Sequence, residues 1–256
     1  MSLNLHHVFA SALVAAAATG PALAETAFDG PYVGAVAGLQ AHSQNRARTE
    51  GTAGFLALPG SVRPAFQTMD HNEGWQGGIV AGYNASSGKL VYGVEADFVI
   101  GNVKGSSSFV GAPIPGLAPN GLTTSANSRL GNRASLRARL GYAPTEKLML
   151  YTTGGLAIGD TRASASVLVN GAPGVGWFGE AENTQTGYTV GGGAEFKLTK
   201  TVALRAEYLF TDFGKQRVTA AGNAAVRGIA ALNGIDYEVA TPNRGGVARV
   251  GVTIGF

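Results

Sequence analysis

The amino-acid sequence predicts an all-β fold, a closed eight-stranded antiparallel transmembrane β-barrel with long extracellular loops and short periplasmic turns. Three observations lead to this expectation. Apolar residues alternate at a period of two with small or charged residues in eight segments. These segments are about 9–12 residues long, the length that a tilted strand needs to cross a bilayer. Glycine accounts for 39 of 256 residues and charged residues for only 14 %, whereas a typical globular protein has ~7 % glycine and ~25 % charged residues.

The composition also excludes several other classes of protein. An apolar share of 45 % is too high for a disordered chain. The absence of cysteine excludes a disulfide scaffold, a thiol nucleophile and a cysteine-ligated zinc site. The net charge is +3, but the basic residues are spread singly, so a nucleic-acid partner is not expected.

Residues 1–24 are predicted to be a secretory signal peptide, which leaves residues 25–256 as the barrel domain. An apolar, alanine-rich run over 8–19 precedes the tripeptide Ala22-Leu23-Ala24, which has the small-residue pattern of a cleavage site. The run is too short to span a bilayer as a helix. The segment before it lacks lysine and arginine, which indicates a misplaced start codon or an atypical signal. The alternative interpretation of the run is a buried N-terminal helix.

The first four predicted strands cover residues 32–41, 74–84, 89–101 and 135–142. Each has one apolar face. These faces carry Val33, Ala35, Ala37 and Leu39 in the first strand; Trp75, Ile79, Ala81 and Tyr83 in the second; Leu90, Tyr92, Val94, Ala96, Phe98 and Ile100 in the third; and Leu136, Ala138, Leu140 and Tyr142 in the fourth. A strand with one apolar face is expected to turn that face toward the lipid.

The last four predicted strands cover residues 148–159, 186–198, 202–210 and 247–256. The first of them lacks charge on both faces, so its orientation stays open. The apolar faces of the other three carry Tyr188, Val190, Ala194, Phe196 and Leu198, then Val202, Leu204, Ala206, Tyr208 and Phe210, then Ala248, Val250, Val252, Ile254 and Phe256. The chain therefore ends on an aromatic residue of a lipid-facing row.

The connections between these strands alternate in length. Long loops are predicted at 42–73, 102–128, 160–185 and 214–243, and short turns at 85–88, 143–147 and 199–201. Long loops on one side and short turns on the other are typical of outer-membrane barrels. Because the number of strands is even, both chain ends are expected on the short-turn side, the periplasm.

The opposite faces of the strands carry small residues and a balanced set of charges. The acidic members are Glu95, Asp97, Glu195 and Glu207, and the basic members are Arg137, Arg139, Arg205 and Arg249. Side chains just fill the interior of an eight-stranded barrel, and charges removed from water have to be paired. We therefore expect a structural charge network in the lumen, in which Glu95 and Asp97 meet Arg137 and Arg139, Glu195 meets Arg205, and Glu207 meets Arg249.

Two other interpretations of the alternating pattern stay open. A soluble β-sandwich also alternates, but its polar face is usually rich in lysine, glutamate and serine rather than glycine. Glu95 and Asp97 could form a general acid–base pair, although four arginines share their face.

Aromatic residues near the strand ends further favour the barrel, because they suggest girdles at two membrane interfaces. They are Tyr32, Tyr83, Tyr142, Phe196 and Phe256 at one level, and Trp75, Phe98, Tyr188 and Phe210 at the other.

Six segments and the terminal aromatic residue together resemble the alphaproteobacterial 25/31-kDa outer-membrane proteins, the RopB-type "porin family" barrels. The segments are YVGAVAG (32–38), YGVEADF (92–98), SLRARLGYA (135–143), LYTTGGLAIG (150–159), TVGGGAEF (189–196) and LRAEYLFTDFG (204–214). The resemblance implies an eight-stranded barrel that reaches the Gram-negative outer membrane through the periplasm, with outer-membrane lipids and lipopolysaccharide as neighbours. It also implies that the barrel-assembly machinery reads Phe256 as an assembly signal.

The resemblance implies no single shared activity, because family members are associated with envelope integrity, surface antigenicity and, for some, haem binding. We expect a non-enzymatic barrel without a cofactor or catalytic residues, which contributes to envelope structure and displays surface loops. The alternatives are a small diffusion pore and a surface receptor or adhesin for a host or small-molecule ligand. Two sets of loop residues bear on the last alternative: the candidate haem or metal ligands His42 and His71, and the apolar residues Phe55, Leu56, Phe109, Ile114 and Trp177.

Overall fold

The computed structural model describes residues 26–41, 45–51, 67–69, 73–114 and 118–256, so the predicted signal peptide lies outside the described residues. Ten strands occur in this part of the chain: β1 (Gly30–Ala41), β2 (Asn45–Gly51), β3 (Gln67–Met69), β4 (Glu73–Ser87), β5 (Leu90–Val110), β6 (Leu122–Tyr142), β7 (Leu148–Val169), β8 (Gly176–Lys197), β9 (Val202–Gly222) and β10 (Tyr237–Gly255).

Eight of the strands close into a ring. β1 pairs with β4, each strand from β4 to β10 pairs with the next, and β10 pairs with β1, all in antiparallel register. The small hairpin of β2 and β3 continues past the end of β1 and pairs with residues 237–240 of β10. The predicted closed eight-stranded barrel is therefore confirmed.

The strands carry an outward apolar band near the end of the barrel that holds Thr26 and Phe256. In β5, Leu90, Tyr92, Val94 and Ile100 are exposed. The odd-numbered residues between them turn inward and are mostly buried. The orientation of the strand predicted at 148–159 is now assigned, because Leu150 and Leu156 are exposed whereas Met149 and Tyr151 are buried. Apolar side chains thus face outward and polar ones inward, as expected for a barrel surrounded by lipid.

The extent of the predicted long loops is wrong. β5 to β10 continue far beyond the apolar band, so the connections 102–128, 160–185 and 214–243 shorten to 111–121, 170–175 and 223–236. The loop predicted at 42–73 contains β2 and β3. We call the part of the barrel beyond the apolar band, at the end opposite Phe256, the distal half.

The hydrophobic pattern inverts in the distal half, which explains why the sequence suggested loops there. In β7, Ala163, Ala165 and Val167 are buried inside the barrel, while Arg162 and Ser164 point outward. Inward apolar and outward polar residues are typical of a barrel in water. Because these segments combine serine, alanine and glycine without a continuous apolar face, their composition is typical of loops.

The distal half is filled by its own apolar core and closed by the segment 223–236. This segment contains a four-residue helix α1 (Ala224–Arg227) and a 3-10 turn (Ala230–Leu232). The side-chain oxygen of Asn223 accepts a hydrogen bond of 3.1 Å from the backbone N–H of Val226, which caps α1. No helix of the described residues is long and apolar enough to cross a membrane.

Two of the loop residues that suggested a binding surface belong to this core. Trp177 is only 1 % exposed, and its indole N–H donates to the carbonyl of Ile235 at 2.7 Å. Ile114 is 6 % exposed, whereas Phe109 remains exposed. The prediction that Ile114 and Trp177 are exposed is therefore wrong, and Phe55 and Leu56 lie outside the described residues.

Candidate functional site

The interior of the barrel inside the apolar band holds the eight charged residues that the sequence singled out. β5 contributes Glu95 and Asp97, β6 contributes Arg137 and Arg139, β8 contributes Glu195, β9 contributes Arg205 and Glu207, and β10 contributes Arg249. All eight are buried. We call this set the lumen network.

Glu95 lies at the centre of the lumen network. Its carboxylate accepts hydrogen bonds from Arg137 and, at 2.5 and 2.8 Å, from Arg205. A third guanidinium, that of Arg139, lies 3.5 Å away. One carboxylate thus faces three arginines on two different strands, so its charge is needed to hold them together.

Glu207 and Asp97 connect the remaining arginines. Glu207 accepts from Arg249 at 2.6 Å and lies 3.0 Å from Arg205. Arg249 also reaches Asp97 at 2.8 Å, and Arg137 reaches Asp97 at 3.0 Å. Since β10, β9, β6 and β5 are linked in this way, the ion pairs cross the lumen from wall to wall.

The pairing differs in part from the expected one. The shortest ion pair of Glu195 is with Arg139, at 2.7 Å, and its distance to Arg205 is 3.8 Å. Asp97 pairs with Arg137, as expected, but its second partner is Arg249 rather than Arg139. The expectation considered mainly neighbouring strands, but a narrow barrel lets a long guanidinium side chain reach the opposite wall.

Two tyrosines that the sequence did not assign to the lumen belong to the network. Tyr32 donates to Glu95 at 2.7 Å and accepts from Arg139 at 2.7 Å. The guanidinium carbon of Arg139 lies 4.0 Å from the ring centre of Tyr151, which is a cation–π contact. The prediction that Tyr32 belongs to an interfacial girdle is wrong; the outward position of its neighbour Val33 already requires Tyr32 to point inward.

Interior glycines provide the space for these tyrosines. A methyl group on Gly193 would lie 2.7 Å from the hydroxyl of Tyr151, and one on Gly82 would overlap the hydroxyl of Tyr32. The glycine-rich inner face of the strands therefore has a direct packing role. A larger residue at either position would displace a tyrosine from the network.

A ninth buried charge, Arg133, was not among the predicted residues. It lies in β6 directly after an irregularity between Leu130 and Arg133, two residues before the predicted start of the strand at 135. Its guanidinium donates to the side-chain oxygen of Gln76. Because the predicted strand was too short, sequence reasoning placed this arginine outside the lumen.

The described residues contain no group of histidine, aspartate or glutamate side chains that could hold a metal ion. The candidate ligands His42 and His71 lie outside the described residues.

Phe256 is exposed at the rim of the barrel, and its backbone N–H donates to the carbonyl of Pro31 at 3.0 Å. Every carboxylate of the lumen network is held by at least one arginine.

Comparison with known proteins agrees with this fold. Residues 10–237 match the family model described as the outer membrane protein beta-barrel domain. The chain is 30 % identical over 203 residues to the 25 kDa outer-membrane immunogenic protein of Brucella abortus biovar 1, a match that covers 79 % of this chain and 75 % of that protein. The crystal structure of the outer membrane protein OprG from Pseudomonas aeruginosa superposes with a TM-score of 0.54 at 11 % identity, covering 89 % of this chain and 96 % of that one, which supports the fold alone.

A second relative is more similar but shorter in its overlap. The chain is 36 % identical over 152 residues to the 31 kDa outer-membrane immunogenic protein of Brucella melitensis biotype 1, a match that covers 59 % of each protein. The chain thus spans less than two thirds of the length of that relative. With a family model that covers most of its length and a closed barrel that agrees with it, the chain belongs to the outer membrane protein β-barrel family and is a protein of the Gram-negative outer membrane.

Proposed function

We propose that this protein is a non-enzymatic, closed barrel that contributes to envelope structure and displays its distal half at the cell surface. The lumen network is the observation that carries the proposal. Its eight charged side chains are buried and paired across the lumen. This arrangement favours a closed barrel over a water-filled channel.

The free-energy cost of opening the lumen argues against a diffusion pore. Separating one buried ion pair leaves an uncompensated charge and is destabilising by about 3–5 kcal/mol. Arg205 alone would have to leave both Glu95 and Glu207. The apolar core of the distal half is a second barrier in the same path.

The absence of a free carboxylate in the network argues against acid–base catalysis. A general acid or base has to reach a substrate, but Glu95 and Asp97 are each held by two arginines within 3.0 Å.

The relatives are named for being immunogenic, which supports surface display of the distal half. The burial of Trp177 removes one of the observations that favoured a receptor.

In a planar lipid bilayer, the refolded wild-type protein is expected to give no stable conductance steps, because the lumen network blocks the path. Liposomes that contain it should swell in small sugars no faster than protein-free liposomes. A 16-stranded porin, whose lumen is an aqueous channel, serves as the positive control. Discrete, reproducible steps from the wild-type protein would instead support the diffusion pore.

We further propose that a row of cations on the outer surface binds the phosphate groups of lipopolysaccharide. Lys104, Arg129 and Arg162 lie opposite one another on β5, β6 and β7, and all three are exposed. Arg162 also pairs with Glu180 at 2.7 Å and with Glu182 at 3.2 Å, and Glu73 lies opposite Lys104 in the ladder. Like charges directly opposite one another are destabilising, so Arg129, in the middle of the row, favours an anion there.

The level of this row supports a lipid headgroup as the anion. Lys104 is two residues beyond Asn102, which pairs with the exposed Trp75 of the outer aromatic level. Replacing Lys104 and Arg129 together by glutamine should reduce the stabilisation that lipopolysaccharide gives in bilayers by about 1 kcal/mol per cation. The measurement is the urea midpoint with and without lipopolysaccharide, with Arg217→Gln as the exposed control; equal stabilisation of the double variant and the wild type would refute the proposal.

A further inference from the structure

The buried charges of the barrel do not balance once Arg133 is included. Nine charged side chains are buried among the described residues, and five of them are arginines while four are carboxylates. The four carboxylates already pair with Arg137, Arg139, Arg205 and Arg249. The interior therefore carries one cation more than its own anions neutralise.

Within the described part of the chain, no carboxylate lies within ion-pair distance of Arg133. Its guanidinium donates to the neutral side chain of Gln76, and its Nε atom is buried without a hydrogen bond. Asp97, which lines a neighbouring cavity together with Arg133, is held by Arg137 and Arg249. An uncompensated buried charge costs several kcal/mol in proteins, so a mobile counter-ion would stabilise this arrangement.

A small cavity lies on the distal side of Arg133. Its volume is about 30 Å³, more than the 10–15 Å³ that one water molecule needs by the same measure. The polar or charged residues along its wall are Gln40, Ser128, Arg133, Thr211, Asn243 and Arg244, and none of the described residues that line it is a carboxylate. The cavity can therefore hold a single small ion among neutral or cationic groups.

The walls of this cavity also offer hydrogen-bond donors. The side-chain oxygen of Gln40 is buried without a partner; a half-turn of that amide presents its NH₂ group instead. Three strands are irregular at this level, between Val99 and Val103, Leu130 and Arg133, and Pro242 and Arg244. Such irregularities leave backbone groups outside the sheet ladder and are frequent beside functional sites.

We propose that this cavity binds one small monovalent inorganic anion, such as chloride, as the counter-ion of Arg133. The cavity on the other side of Arg133 is lined by Asp97 and by Arg249, which pairs with it at 2.8 Å. Because the distal cavity has no such carboxylate among the described residues, the site lies on the distal side. The volume excludes organic anions such as gluconate. This site is independent of the proposed function, because a closed barrel and a conducting one would both need the counter-ion.

The test compares sodium chloride with sodium gluconate at equal ionic strength. The unfolding constant of the refolded protein should fall with chloride concentration, by up to tenfold for each tenfold rise above the dissociation constant, and gluconate should have no such effect. Chloride NMR line broadening by the folded wild type, displaced by bromide, provides a direct readout that needs no variant. Equal unfolding constants in the two salts, or no line broadening, would overturn the proposal.

Variants assign the effect to Arg133. Arg133→Gln should abolish the chloride dependence of unfolding, whereas Arg217→Gln, which removes an exposed arginine of the outer surface, should retain it. If Arg133→Gln and Arg217→Gln respond to chloride equally, the ion binds elsewhere and the proposal is refuted. If Arg133→Gln does not fold, Arg133→Lys keeps the charge, and its chloride dependence should persist with a changed dissociation constant; its loss would count against a charge-driven site.

Discussion

Replacement of Glu95 by glutamine is expected to lower the free energy of unfolding by about 3–5 kcal/mol, the usual cost of removing one partner from a buried ion pair. Glutamine keeps the size of the side chain but loses the negative charge that faces Arg137, Arg139 and Arg205. Its NH₂ group would also point a donor at groups that can only donate. The expected loss is therefore electrostatic and not a consequence of packing.

The measurement is a urea titration of protein refolded into lipid bilayers, followed by tryptophan fluorescence and by heat-modifiable gel mobility. The matched control is Glu180→Gln, which breaks an exposed ion pair with Arg162 and should cost no more than about 1 kcal/mol. In the double variant Glu95→Gln/Arg137→Gln part of the loss should be recovered, since one of the uncompensated cations is gone. Equal losses for Glu95→Gln and Glu180→Gln would show that the lumen network does not stabilise the barrel.

The lipid-facing part of the barrel was predictable because its sequence pattern has a single physical cause. Lipid requires an apolar outer face, and the pleat of a strand turns every second residue to that face. Leu90, Tyr92 and Val94 therefore identify their strand and its orientation at once. The same alternation places Tyr32 inside the barrel. The prediction of a girdle position rested instead on the general enrichment of aromatic residues at membrane interfaces.

The distal half was not predictable from the same rule, because its surroundings change from lipid to water. Along β7 the inward residues change from Thr153 to Ala163 and Val167, while the outward ones change from Leu156 to Arg162. Beyond this change no single apolar face continues, so the sequence pattern there indicates loops. Arg133 was missed for the same reason, since its strand was predicted to begin too late, at residue 135.

The detailed pairing of the charged residues could not be predicted from the sequence either. Neighbouring strands can be inferred from their order along the chain, but contacts across the lumen depend on the diameter of the barrel and on side-chain length. Arg205 on β9 reaches Glu95 on β5 because glycines such as Gly193 leave room in the interior. The composition of the network was predictable, and its connectivity was not.

Deletion of Phe256 is expected to reduce assembly of the barrel in cells sharply while leaving its refolding in detergent nearly unchanged. Phe256 is 77 % exposed on the protein surface, so its ring makes few contacts within the barrel, and one aromatic side chain at the membrane interface contributes at most ~2 kcal/mol. The deletion also removes the hydrogen bond to Pro31, worth about 1 kcal/mol. The resemblance to RopB-type barrels implies a separate role, in which the assembly machinery recognises the terminal aromatic residue.

The two roles are separated by comparing cells with purified protein. In cells, the deletion variant should accumulate in the periplasm or be degraded, whereas Phe256→Trp, which keeps a terminal aromatic ring, should assemble. The control is Phe196→Ala, which removes another exposed aromatic ring from the same end of the barrel and should assemble normally. A structural aromatic contributes equally wherever folding occurs, since its contacts are the same in a cell and in detergent. If assembly in cells and refolding in detergent fell together in the deletion variant, Phe256 would act through stability, because a recognition signal has no function in the purified system.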